Sequence, residues 1–101
     1  MNKQYFSRPI RLTASGVALA RDCQLAAYSI VTGSVDLVIH LTDGAGGQKL
    51  WSVEADSAAS SPNMSFGAYP LRFPNGLYVE FSQPEDNTSV SLAVVEPYSK
   101  A

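Results

Sequence analysis

The feature that most constrains this fold is residues 69–83, where two alternating runs flank a turn signal. Apolar residues occupy every second position on both sides of the turn: Leu71, Phe73, Leu77, Val79 and Phe81. A period of two is typical of strands that bury one face. Asn75-Gly76 lies between the runs and favours a tight turn, because both residue types tolerate positive φ. The sequence therefore predicts a β-hairpin over residues 69–83.

Similar short runs occupy most of the chain. Alternation predicts a first strand over 10–14, a central strand over 35–42, a return strand over 48–56 and a last core strand over 89–94. A glycine-rich turn over 43–47 connects the central and return strands, and 57–63 has the composition of a loop. This spacing of strands and turns is typical of an all-β protein.

Residues 17–32 are compatible with two structures. The alanine-rich part, 17–27, contains good helix formers, whereas the Tyr28-to-Thr32 ending is rich in residues that favour strands. We predict two strands separated by a break near Arg21-Asp22, and a short helix is the alternative.

The whole pattern predicts one domain over residues 1–101, with a basic N-terminal arm over about residues 1–8. The expected fold is a β-sandwich or a jelly roll of about seven or eight short antiparallel strands, with turn signals every 8–12 residues. The strand pattern alone does not choose between the two topologies.

Charge is distributed unevenly along the chain. Residues 1–21 carry four basic residues and no acid, whereas residues 22–101 carry three basic and nine acidic residues. Four charges over this length are too sparse for a nucleic-acid patch, and the acidic remainder would repel phosphates. No apolar run approaches the roughly 20 residues that span a membrane, and no apolar signal segment follows Met1. We therefore expect synthesis in the cytoplasm. The basic segment is interpreted either as an arm that docks on an acidic protein surface or, with preference, as an ordinary solvated first strand.

The sequence contains little material for catalysis. Its one cysteine, Cys23, has no disulfide partner, and its one histidine, His40, has no neighbour at the spacing of a zinc site. The 43–47 turn lacks the Gly-Lys-Ser/Thr of a phosphate loop. Folding could still bring a serine and an aspartate next to His40 as a catalytic triad. A small hydrolase is therefore kept as the least favoured alternative. We predict no catalytic residues, no cofactor, no metal ion and no enzyme activity.

Aromatic residues suggest a second alternative, a carbohydrate-binding module. Trp51, Phe66, Tyr69 and Tyr78 would form a stacking platform if they shared one exposed face. Aromatic residues in strands are more often part of a core or an interface. The core interpretation is therefore favoured for these four residues.

Three segments resemble small bacteriophage virion proteins. The run from Leu37 to Trp51, with its Asp-Gly-Ala-Gly-Gly turn, looks like their strand, glycine turn and strand, and Pro70–Val79 is similar to their Phe-x-Asn-Gly-Leu-Tyr-Val segment. The closing strand over 90–94 also fits. The resemblance implies a capsid decoration, or cement, protein of the virion that binds the major capsid protein as a homotrimer. A tail or head-fibre component is the alternative within this family.

A cement protein needs few charges and a means of reaching its neighbour. Charged residues make up 16% of the chain, against about 25% in an average globular protein. We expect four residues of the basic N-terminal segment to contact an adjacent subunit: Tyr5, Phe6, Arg8 and Arg11. Binding only to the assembled lattice would stabilise that lattice by mass action.

Overall fold

The computed structural model describes the backbone of residues 3–33, 36–55, 62–83 and 88–99, and the side chains of residues 9–33, 36–55, 62–83 and 88–96. Within these ranges the chain forms nine strands and no helix. The strands are β1 (Lys3–Leu12), β2 (Gly16–Leu19), β3 (Cys23–Val31), β4 (Leu37–Asp43), β5 (Lys49–Ala55), β6 (Asn63–Ser65), β7 (Leu71–Phe73), β8 (Leu77–Phe81) and β9 (Ser89–Ser99).

The strands form two antiparallel sheets that pack together as a β-sandwich. Sheet A has the order β1-β9-β3, and the far edge of β3 pairs first with β7 and then with β6. Sheet B has the order β2-β8-β4-β5. If β6 and β7 are counted as one interrupted strand, these are the two four-stranded sheets of a jelly roll, so the topology selects the jelly roll from the two predicted folds.

The core lies between the sheets because each strand turns alternate side chains inward. In β4, β8 and β9 the buried apolar residues fall at every second position, as the sequence predicts. The largest fully buried side chains come from both sheets: Leu25, Ile30, Phe73, Val90 and Val94 from sheet A, and Ile39, Leu41, Leu77 and Val79 from sheet B. The predicted central strand, β4, lies inside sheet B between β8 and β5.

The alanine-rich segment forms two strands rather than a helix. β2 and β3 are separated by the exposed residues 20–22, which confirms the predicted break near Arg21-Asp22. β2 pairs with β8 in sheet B, whereas β3 pairs with β9 in sheet A. The break is therefore the point at which the chain changes sheets.

The predicted hairpin over residues 69–83 is wrong. β7 pairs with β3 in sheet A and β8 pairs with β4 and β2 in sheet B, so the two runs lie in different sheets. The Gly76 N–H donates to the Phe73 carbonyl at 3.1 Å, which makes residues 73–76 a turn. Gly76 has a φ of +100°, but Asn75 does not have a positive φ.

This backbone conformation explains the error. A type I′ hairpin turn requires positive φ at both central residues, which here are Pro74 and Asn75. Turns of the unprimed kind splay the flanking strands apart. The flanking residues Phe73 and Leu77 are both fully buried, one in each sheet, so the turn arches over the edge of the core.

The N-terminal segment is a strand from Lys3 onward. The sequence predicted an arm over about residues 1–8, whereas β1 pairs with β9 along its whole length, from Lys3 opposite Ser99 to Leu12 opposite Val90. β3 accompanies β9 only as far as the pairing of Gln24 with Val95. Residues 3–6 and 96–99 therefore continue beyond the sandwich as a two-stranded extension, which we call the terminal ribbon.

Candidate functional site

The outer face of sheet A is hollow. A concavity of about 630 Å³ lies across β1, β9 and β3, and it is lined by Pro9, Ile10, Arg11, Ala27, Tyr28, Ser29, Ser91, Leu92 and Ala93. Tyr28 and Leu92 are buried toward the core and contribute backbone, whereas the other side chains are exposed or half-buried. We call this surface the sheet A hollow.

Small side chains create the hollow. Its floor consists of Ala27, Ser29, Ser91 and Ala93, which face outward on the two central strands of the sheet. Larger residues at these positions would fill the space between the rims. A floor without charge is suited to close contact with another protein, because the centres of protein interfaces are depleted of charged residues.

Arg11 is the one charged residue that lines the hollow within the described part of the chain. It lies on β1 opposite Ser91, and its side chain is exposed. A guanidinium at the rim provides five N–H donors for a carboxylate on a partner. Of the four predicted interface residues, Arg11 is therefore the one that the described side chains place at a surface feature.

The other three predicted interface residues also lie on β1. The backbones of Tyr5 and Phe6 belong to the terminal ribbon, opposite Pro97 and Glu96, and that of Arg8 lies opposite Val94. Their side chains fall outside the described residues. The proposed contacts of these three side chains stay a prediction.

One basic residue of the N-terminal half has an internal partner. Arg21 Nε donates to Glu96 Oε1 at 2.5 Å, and this contact raises the pKa of the Arg21 guanidinium. The Glu96 side chain is 6% exposed, so the ion pair compensates a buried carboxylate next to the start of the ribbon. Arg21 thus connects the β2–β3 break to β9.

The two turns that carry the phage resemblance contact each other. Asn75 donates through its backbone N–H to Asp43 Oδ1 at 2.8 Å and through Nδ2 to Asp43 Oδ2 at 2.9 Å. The Gly44 N–H also donates to the Gly76 carbonyl at 2.9 Å. These hydrogen bonds join the 43–47 turn to the 73–76 turn at one end of the sandwich. The motifs therefore have a structural role in the fold.

His40 lies in a polar row on the outer face of sheet B. Its Nδ1 is 2.7 Å from Ser52 Oγ on β5, and Glu80 is its register partner on β8. In a serine-hydrolase triad the serine bonds to Nε2 instead. The contact between Ser52 Oγ and Nδ1 therefore does not reproduce the arrangement of a triad.

Cys23 is fully buried in the core at the start of β3. Burial, with a smaller contribution from Asp22, raises the pKa of its thiol to about 11. A thiol of this kind is protonated at neutral pH, whereas a nucleophilic cysteine needs a lowered pKa. Within the described residues, no group of three or more histidine, cysteine and acidic side chains is placed to hold a metal ion.

The aromatic residues do not gather on one exposed face. Trp51 packs edge-on against Phe66, with ring centroids 5.2 Å apart, and both rings contact the core. Trp51 Nε1 donates to Tyr28 Oη at 3.1 Å, which joins sheet B to sheet A. Tyr69 is 86% exposed on the loop before β7. The predicted core role is confirmed for Trp51 and Phe66.

No protein-family model matches the chain, and no curated protein matches it significantly. The resemblance to phage virion proteins therefore stays a prediction. Within the described ranges, no helix is long and apolar enough to cross a membrane.

Proposed function

We propose that this chain is a non-enzymatic structural protein of a phage virion that binds and stabilises the capsid lattice. The observation that carries the proposal is the sheet A hollow, an uncharged concave surface with one arginine at its rim. The major capsid protein would be the partner, and its contacting segment would carry a carboxylate opposite Arg11. Lattice stabilisation would follow because the chain binds the assembled state and not the separated subunits.

Two further features support this function. The terminal ribbon extends beyond the sandwich and would lengthen the contact with a neighbouring subunit. The jelly roll recurs among viral capsid proteins, which is an argument by analogy only, because one fold serves many functions. A tail or head-fibre component would use the same surfaces.

The carbohydrate-binding alternative has less support. Two of the four residues of the supposed platform, Trp51 and Phe66, pack against the core. Tyr69 is strongly exposed, but a stacking site needs several groups that converge on one ligand.

Shell binding tests the proposal directly. The purified protein should co-sediment with mature shells from a virus that lacks its gene, and it should raise the temperature at which those shells release DNA. Arg11→Glu should weaken binding at least about tenfold, because like charges facing each other at an interface cost several kcal/mol. Arg11→Lys keeps the charge and should bind more tightly than Arg11→Glu.

Each result has a definite meaning. Failure of the folded wild-type protein to bind shells would contradict the proposed function. Binding that Arg11→Glu leaves unchanged would contradict the assignment of the hollow as the contact surface.

A further inference from the structure

We propose that the outer edge of β5 pairs with the same edge of a second copy, which makes a two-fold dimer with a continuous eight-stranded sheet. The edge is a surface for a second copy of this chain and does not depend on capsid binding. Within the described residues, this edge of β5 pairs with no other strand.

The backbone groups of Ser52 and Glu54 on β5 point away from β4. Val38 on β4 uses both of its groups toward β8: its N–H donates to Ser82 Oγ at 2.8 Å, and its carbonyl accepts from the Ser82 N–H at 2.9 Å. Backbone groups alternate sides along an antiparallel strand. The groups of Val38 and His40 therefore point away from β5, and their register partners Glu54 and Ser52 have backbone groups that point to the free edge.

The other sheet edges are interrupted by a proline, or are short. The outer edge of β1 contains Pro9, which lies opposite Ala93 of β9. Because proline has no N–H, it takes a position of the antiparallel ladder that forms no hydrogen bonds with the partner strand. Its nitrogen therefore faces the outer edge, where it offers no donor. β6 and β7 have three residues each, and β2 has four with a register shift. Prolines, bulges and short length are the usual protections of sheet edges. Within the described residues, two edges offer five or more consecutive residues without proline or register shift: Lys3 to Arg8 on β1, which lies largely in the terminal ribbon, and Trp51 to Ala55 on β5, which lies in the sandwich.

The outer edge of β5 carries one charge of each sign. β5 begins with the exposed Lys49 and carries the exposed Glu54 near its end. An antiparallel pair centred on Ser52 brings Lys49 and Leu50, where the register shift of β5 lies, close to Glu54 of the second copy, so Lys49 can reach that carboxylate. Two-fold symmetry forms this ion pair twice. The edge is thus complementary in charge to itself.

Two apolar side chains of β5 are only partly covered. Trp51 and Val53 point inward opposite the buried Leu41 and Ile39, but both are only half-buried. They are half-buried because sheet B ends at β5. A second copy that continues the sheet would cover these side chains, and burial of apolar area favours association. Backbone pairing, charge and apolar burial are therefore all compatible with the register centred on Ser52.

The test measures molar mass by light scattering after gel filtration, over a range of protein concentrations. The wild-type protein should approach twice the chain mass of 10.8 kDa. Ser52→Pro removes an N–H that faces the free edge, so it should leave the monomer folded and abolish pairing. Ser52→Ala is the matched control: it loses the contact with His40 but keeps the N–H, and should still form the dimer.

Exchange of the charges of Lys49 and Glu54 is an independent test of the interface. It also applies if Ser52→Pro does not fold. Lys49→Glu and Glu54→Lys should each raise the dissociation constant about tenfold or more, because each places like charges together. The double variant exchanges the charges and should restore the wild-type constant. Arg11→Glu makes the same charge change as Lys49→Glu on the other sheet, and should leave the mass unchanged.

Circular dichroism and thermal unfolding verify that each variant is folded. A wild-type mass of one chain at every concentration would overturn the proposal. A mass of three chains, which the phage resemblance implies, would also overturn it, as would a folded Ser52→Pro that remains a dimer or a double variant no tighter than the single ones. If the protein binds shells but stays monomeric, the proposed function stands and the proposed β5 interface is refuted.

Discussion

The backbone of Gly76 restricts the turn between β7 and β8 to glycine. Its φ of +100° is unfavourable for other residue types, and a Cβ there would lie 2.6 Å from the carbonyl oxygen of Leu19. Gly76→Ala should therefore lower the free energy of unfolding by about 3 kcal/mol or more, from backbone strain and steric overlap together. Urea denaturation followed by circular dichroism measures this change.

Gly46 provides the matched control for that prediction. It also has a positive φ, +74°, but a Cβ at this position would meet no atom within 4 Å. Gly46→Ala should lower the free energy of unfolding by only about 1–2 kcal/mol, from backbone strain alone. Equal losses in the two variants would contradict the role assigned to the contact with Leu19.

The buried thiol of Cys23 gives a prediction about alkaline pH. Its pKa of about 11 in the folded protein exceeds the ordinary cysteine value, so the unfolded chain releases the proton at lower pH. The stability contributed by the neutral thiol is fully present below about pH 8.5 and is lost as the pH rises toward 11. Cys23→Ala should lose less stability than the wild type between pH 8 and pH 11.

Reagent access checks the same residue under native conditions. A thiol reagent at pH 8 should react with Cys23 only as fast as the protein opens, and addition of urea should accelerate the reaction. Fast labelling of the folded protein would contradict the burial of this side chain.

At the scale of elements, sequence patterns located strands better than they located strand partners. The predicted strands over 35–42, 48–56 and 89–94 correspond to β4, β5 and β9, because alternation reports which residues face inward. Alternation does not report which sheet a strand joins. The hairpin prediction failed for this reason: whether Asn75 takes a positive φ depends on the packing of Phe73 and Leu77 into different sheets.

The candidate site was only partly accessible from sequence. Charge placement indicated the N-terminal segment and included Arg11, which lies at the hollow. The floor was missed, because alanine and serine carry no functional signal by themselves. One pattern could have suggested it: in the middle of both β3 and β9 two successive outward positions are occupied by small residues, at Ala27, Ser29, Ser91 and Ala93. That the two strands are neighbours is visible only in the folded protein.

Truncation distinguishes the terminal ribbon from the sandwich. The sequence placed an arm at residues 1–8, but residues 7 and 8 pair with Val95 and Val94, which also pair with β3. Deletion of residues 1–6 should therefore leave the thermal transition cooperative and weaken binding to shells. Deletion of residues 1–12 removes all of β1, uncovers the edge of β9, and should cause unfolding or aggregation.

The comparison between the two deletions is what tests this division. Unchanged shell binding after removal of residues 1–6 would refute a role for the ribbon. Loss of the folded state in the shorter deletion would show that the ribbon belongs to the folding unit.

At the scale of the whole molecule, the two sheets have different roles in association. In the two proposals above, sheet A would present the hollow and Arg11 to a partner of different sequence, whereas sheet B would present β5 to a second copy. These surfaces belong to separate sheets, so one molecule could use both at once. A dimer would then offer two hollows related by a two-fold axis, and the second contact would form at high effective concentration.

The position of β9 also determines when the protein can fold. This last strand of the chain lies between β1 and β3 in sheet A, so the first strand has no partner until the last one has been synthesised. A nascent chain can form the pairing of β4 with β5, but it cannot complete sheet A until β9 has left the ribosome. Folding of such non-local pairings is slow, on the scale of milliseconds to seconds. During synthesis the protein therefore depends on the solubility of unpaired strands, which its many serine and threonine residues favour.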